Sequence, residues 1–165
     1  MEVGFGIPNN QGVEDPNDLV TIAVEAERLG YSSVWVREHL FHSTYVAERL
    51  GDKPYHDALT VLTAIACSTK TVRLGTSVLV LPWHHPARLG KMIATLDHLS
   101  GGRVALGVGV AITEMSSRIS ESISRPGASA WTKPWARSRR FGPRTCRRFP
   151  VNFISLMGSN SRRSH

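Results

Sequence analysis

Few side chains in this 165-residue sequence are of kinds that do chemistry together, and most of them lie in two stretches. Glu38-His39 follows the apolar run Ser32–Val36, and His84-His85 precedes Pro86. Histidine changes charge near neutral pH, and its two ring nitrogens can donate or accept. His39 is therefore the first candidate; its bland alternative is a solvated loop histidine beside Glu38. His84 and His85 precede a helix start at Pro86, and His85-Pro86 reads more simply as a turn and helix start than as chemistry. His42, Tyr45, Tyr55 and His56 sit on the long polar segment after the second apolar run, where some could line a substrate pocket and most would be surface residues. Asp97 and Arg103 read as structural, a helix-end carboxylate and a Gly-Gly-Arg turn. Cys67 and Cys146 lie far apart with no metal-ligand spacing around either, so no metal site is expected.

The elements that must position these residues are legible as repeated strand and helix signals. Val3–Ile7 is a short apolar run closed by Pro8-Asn9-Asn10. Asp15-Pro16 supplies a helix N-cap and a proline at the first helical position. Leu19, Ile22, Ala23, Ala26 and Leu29 recur at helical spacing behind it, and Gly30 ends the helix. Ser32–Val36 is a second strand, followed by polar loop to about Tyr55. A helix starts at His56-Asp57 and ends near Lys70. Val72–Leu81 reads as one strongly apolar strand. Pro86 opens another helix with Leu89, Met92, Ile93, Leu96 and Leu99 on one face, and Ser100-Gly101-Gly102 stops it. Val104–Gly109 is a fourth strand. Strands that are apolar throughout, alternating with helices, predict a parallel sheet covered by helices, an α/β fold.

Composition bounds the class and then divides the chain. Hydrophobic content of 41% and charged content of 20% suit a globular protein. No apolar run approaches the roughly 20 residues needed to span a bilayer, and the N-terminus lacks the basic start and apolar core of a signal peptide. A cytoplasmic location is expected. The net charge of +7 is unevenly placed: residues 1–112 hold 9 Lys and Arg against 11 Asp and Glu, whereas residues 113–165 hold 11 against 2. Prolines at 126, 134, 143 and 150 interrupt the Ser/Arg-rich tail, and no amphipathic period survives in it. Two segments are expected, 1–112 folded and 113–165 largely disordered.

The ordered set Arg73–Pro82, His85-Pro86, Lys91, Ala94–Asp97, Leu99–Arg103 and Leu106–Gly109 resembles the luciferase-like monooxygenase family, most closely its branch that uses the deazaflavin coenzyme F420. Phe5–Asn9, Ala26–Val36 and Glu38-His39 fit the same family, so the likeness covers about Met1 to Val110. It implies the N-terminal half of a (β/α)₈ TIM barrel, with a deazaflavin (F420) or flavin ring at the C-terminal ends of the strands. It further implies a bulge in the third strand, often with a non-prolyl cis peptide, that backs the ring; by position this falls at Ser77-Val78. His39 takes the place of the family's ring-side histidine and is the catalytic candidate. His39, Thr76, Ser77, Val78 and Gly107 form the expected cofactor-facing set. Val110 and Ala111 stand where several F420 enzymes carry an acid, so that role has no candidate. Homodimerisation through the helices after the second and third strands is implied as well.

A barrel of this type needs roughly 250 residues, and the tail suggests why only half is legible. Read one nucleotide earlier, Trp131-Thr132 must encode Asp and Met157-Gly158 must encode Gly. With permitted codons, Arg140–Gly158 can read Leu-Trp-Thr-Glu-Asp followed by a Phe-Pro-Gly-Glu-Phe hairpin, as the family has after its fourth strand. A change of frame between about Val110 and Glu114 is the expectation, and catalysis by the chain as it stands is then in doubt.

Three functions follow. The first is oxidoreduction, a hydride passing between deazaflavin or flavin and a small organic substrate, or the monooxygenase variant of it with FMN. The second is nonspecific nucleic-acid binding, with Arg137–Arg148 on phosphates and Trp131, Trp135 and Phe141 stacked on bases. It needs a platform that the tail does not provide, so nucleic acid is not an expected partner. The third is an interaction-only half-barrel.

Overall fold

A computed structural model describes residues 2–40, 44–109 and 152–155. Five strands run in chain order through the folded part: β1 (Gly4–Gly6), β2 (Ser33–Val36), β3 (Arg73–Thr76), β4 (Leu79–Val80) and β5 (Val104–Gly109). Helices α1 (Pro16–Arg28), α2 (Thr44–Leu50), α3 (Ala58–Ser68) and α4 (Pro86–Ser100) connect them, and β6 (Asn152–Ser155) stands apart. The sheet order is β1-β2-β3-β5-β4, with β6 also against β5, and every pairing is parallel. The α/β fold read from the apolar strands is the fold observed.

Helix ends form where short-range chemistry dictates. The Asp15 carboxylate accepts the Asn17 N–H at 2.8 Å, and Pro16 needs no partner for a nitrogen that carries no hydrogen. Asp57 accepts from Thr60 N at 2.8 Å and starts α3, one residue past His56. Gly101 ends α4 at φ 71°, a left-handed conformation that only glycine adopts without steric cost.

Alternation along the strands sends Val34, Val36, Leu74, Val104 and Leu106 toward the helices, where they pack on Leu19, Leu62, Ile65, Leu89 and Ile93. Each such side chain contributes about 1.5–3 kcal/mol when fully buried. Glycine dominates the opposite face. A Cβ on Gly75 would lie 2.2 Å from the Trp35 ring, and one on Gly4 would lie 2.6 Å from its Nε1. The indole therefore rests flat across β1 and β3 only because both lack a side chain there.

The α3–β3 connection is held from both sides. Glu27 of α1 accepts the N–H groups of Lys70, Thr71 and Val72 and the Thr71 hydroxyl, at 2.6–3.1 Å. Burial opposes ionisation of this carboxyl, yet the four donors outweigh it and bring its pKa down to about 2. Arg103 takes the carbonyls: its guanidinium places all five N–H groups on Ser100 O, Thr69 Oγ1, Val72 O, Ala66 O and Thr69 O, at 2.7–3.0 Å. Arg103 is structural, as expected, but its partners are carbonyls and a hydroxyl. Asp97 instead accepts from Val104 N at 3.3 Å.

Four expectations change. The single strand over Val72–Leu81 is two short strands, with residues 77–78 between them and a 3₁₀ turn over Leu81–Trp83 behind. The polar loop after β2 contains α2, whose Val46 and Leu50 are buried. Within the tail expected to be coil, Asn152–Ser155 is a strand alongside Ala105–Val108. Met92 and Leu99, expected on one face of α4 with the buried Leu89, Ile93 and Leu96, are exposed and border a groove with Leu59 and Thr63 of α3. Among the described residues no helix is long and apolar enough to cross a membrane.

Candidate active site

All the strands point their C-terminal ends to one edge, and there the sheet is irregular. Gly75 of β3 stands opposite Ala105, whereas Leu79 of β4 stands opposite Val108. Three residues, Thr76, Ser77 and Val78, thus face the two residues Leu106 and Gly107, which defines a β-bulge. The Ser77–Val78 peptide bond is cis. Both features were expected at this position.

The bulge is admitted by glycines on its neighbour. A Cβ at Gly107 would lie 2.1 Å from the Thr76 carbonyl oxygen, and one at Gly109 would lie 2.9 Å from Val78 Cγ2. Thr76 repairs the interrupted ladder, because its buried hydroxyl donates to Gly107 O at 2.8 Å and accepts from Gly107 N at 3.0 Å. With its hydroxyl so engaged, Thr76 has only its main chain left for a ligand. Ser77 is exposed and Val78 half-buried, which leaves the two at the surface of this edge.

His39, three residues past β2, is half-buried and packs between two aromatic rings. Its centroid lies 5.9 Å from that of Trp83, edge to face, and 5.7 Å from that of Tyr55. The Trp83 indole N–H is buried and has no hydrogen-bond partner among the described residues. Burial pushes the Tyr55 phenol up to about 12 against the opposing pull of Arg49 and Arg37, so it stays a neutral donor. Asn9, fully buried in the turn after β1, secures this shelf: its amide donates to Arg37 O at 2.7 Å and His56 O at 3.0 Å, and its oxygen accepts from Arg37 N at 3.0 Å.

Of the pocket candidates, Tyr55 meets His39, but His56 is spent on the Val13 carbonyl at 2.7 Å. Tyr45 falls in α2, while His42, Val110 and Ala111 lie outside the described residues. His85 occupies the N-cap position of α4 ahead of Pro86, as expected. His84 closes the 3₁₀ turn with its N–H on Leu81 O at 3.1 Å, and its ring has a partner that the sequence did not mark: Nε2 sits 2.7 Å from Glu38 Oε1, and Glu38 Oε2 accepts from Val80 N at 2.6 Å. An acidic residue beside a candidate histidine was the only signal for it, and nothing local marked a partner 46 residues away.

This edge can back a flat, largely apolar ring. Glycines remove side chains where the bulge meets β5, Val78 and the three rings provide apolar contact, and the Trp83 N–H lacks an acceptor. In open parallel sheets and barrels alike, ligands gather at the carboxyl ends of strands.

Comparison with known proteins places the chain. It is 43% identical over 95 residues to an F420-dependent glucose-6-phosphate dehydrogenase of Amycolatopsis mediterranei, covering 57% of this chain and 27% of that protein. It is 39% identical over 83 residues to the 4-hydroxyprotoasukamycin monooxygenase of Streptomyces nodosus subsp. asukaensis, covering 50% and 20%. The chain thus matches less than a third of the length of either relative. Among solved structures it superimposes on the FMN-bound oxygenating constituent of 3,6-diketocamphane monooxygenase from Pseudomonas putida, with TM-score 0.58 and 25% identity, over 73% of this chain and 32% of that one. The family profile runs over residues 1–139, further than the limit near Val110 that the motifs gave. The chain belongs to the luciferase-like monooxygenase family.

Proposed function

We propose that this chain carries the ring-facing part of an oxidoreductase that moves a hydride between a deazaflavin, F420, or a flavin and a small organic substrate. The observation that carries the reading is the bulge at Ser77–Val78 beside Gly107 and Gly109, with His39 facing the same edge from β2. The main chain of Thr76, Ser77 and Val78 and the glycine backbone at Gly107 would back the ring. His39, held between Trp83 and Tyr55, would donate a hydrogen bond to the ring or to substrate oxygen and stabilise charge as it develops. Trp83 and Tyr55 would exclude water from that contact. The ring itself supplies the two-electron chemistry when bound. F420 is the first choice because the dehydrogenase relative is named for it; the FMN-bound monooxygenase supports FMN as the second.

The same reading makes the sheet the first half of a (β/α)₈ barrel in a cytoplasmic enzyme. It also makes the exposed groove of Leu59, Met92 and Leu99 between α3 and α4 the contact of a homodimer. The test is titration of the purified chain with F420 and with FMN, followed by absorbance and fluorescence. Saturable binding near micromolar that His39→Ala weakens supports the reading. Absence of binding to either ring refutes it for this chain.

A further inference from the structure

Glu38 and His84 do more than pair. Glu38 is joined through the chain to His39, the His39 ring meets Trp83, Trp83 is joined to His84, and His84 returns to Glu38. The contacts form a closed cycle across the mouth of the sheet. The second Glu38 oxygen reaches Val80 N, two residues past Val78, so the same carboxylate anchors the far side of the bulge. The Glu38 side chain is 2% exposed and that of His84 18%. Both carboxylate oxygens are used within the protein, so Glu38 does not face a ligand directly.

We infer that Glu38 and His84 are a positioning pair, a clasp that sets His39 against Trp83 and fixes the bulge at Ser77–Val78. Its action on a ring rests on the function proposed above; the clasp itself does not. Against a carboxylate, His84 Nε2 must carry the hydrogen. In Glu38→Gln the Val80 N–H still requires an acceptor, so the glutamine oxygen turns to it and the glutamine NH₂ faces His84. The neutral imidazole must then accept at Nε2 and keep its hydrogen on Nδ1. A side chain that merely fills space would not impose this change of tautomer.

The test uses the whole chain. Nitrogen-15 NMR of the neutral imidazoles should report Nε2–H at His84 in the wild type and Nδ1–H in Glu38→Gln. Amide hydrogen exchange should accelerate at least tenfold across residues 77–84 in Glu38→Ala, while α1 and β1 exchange as before. Binding of F420 or FMN should weaken at least tenfold in Glu38→Ala and recover in Glu38→Gln. An unchanged tautomer, or exchange that rises uniformly, overturns the clasp. Local loosening with undiminished ring binding overturns its positioning role. If the wild type binds neither ring while the tautomer and exchange results hold, the clasp stands and the proposed function falls. Should Glu38→Ala not fold, His84→Ala carries the exchange and binding tests, and Glu38→Gln keeps the tautomer test.

Discussion

Glu27→Gln tests whether one carboxylate holds the α3–β3 connection. The drop in its pKa from 4.5 to about 2, at about 1.36 kcal/mol per unit, corresponds to roughly 3 kcal/mol of preference for the ionised form in the folded state. Because Glu27 is only half-buried, solvent screening reduces this to about 1–2 kcal/mol of stability. A folded-state pKa below the unfolded one means that the stabilisation is complete above pH 4.5. It is lost as the pH falls toward 2, where the folded carboxylate must also take a proton. Glutamine keeps one acceptor for four donors and has no such dependence. Urea unfolding of both proteins should therefore give the wild type an advantage of about 1–2 kcal/mol at pH 7, shrinking as the pH falls from 4.5 toward 2. A difference that is constant down to pH 2.5, or that grows on acidification, would refute the argument that hydrogen bonds to the anion hold this turn.

Arg103→Lys keeps the charge but cannot present five N–H groups in a fixed fork; it should cost about 2–4 kcal/mol by denaturant titration. Asn9→Ala strands the Arg37 N–H and two carbonyls, and should cost a similar amount of about 2–4 kcal/mol while lowering proteolytic resistance at residues 37–56. Gly107→Ala drives a methyl group against the Thr76 carbonyl and should lower stability by more than about 2 kcal/mol, whereas Gly90→Ala, in open space, should be neutral or slightly stabilising.

What the sequence made legible was local. Asp15-Pro16, Asp57 and Gly101 set helix ends within three residues of themselves, and the apolar strands set the sheet type. The interruption of Val72–Leu81 was not legible from composition, because it depends on Gly107 and Gly109 some thirty residues on and on Glu38 forty residues back. Family likeness placed the bulge where residue pattern alone gave an unbroken strand. Helix α2 was hidden in a polar run, in which Val46 and Leu50 are buried. The Glu38 partner of His84 was hidden because it is distant in sequence, and so was the task of the Thr76 hydroxyl, which mends the strand at Gly107.

The indole of Trp35 has a bearing on how the strands find their alignment. A strand with alternating faces tolerates displacement by two residues, since the apolar side still meets the helices. Such a slip of β3 would bring Arg73 or Ser77 beneath Trp35 in place of Gly75, and neither leaves room for the ring. One large side chain, requiring a bare neighbour, thereby selects a single alignment among those the hydrophobic pattern permits. The position of the bulge, and of everything that hangs from it, is inherited from that choice.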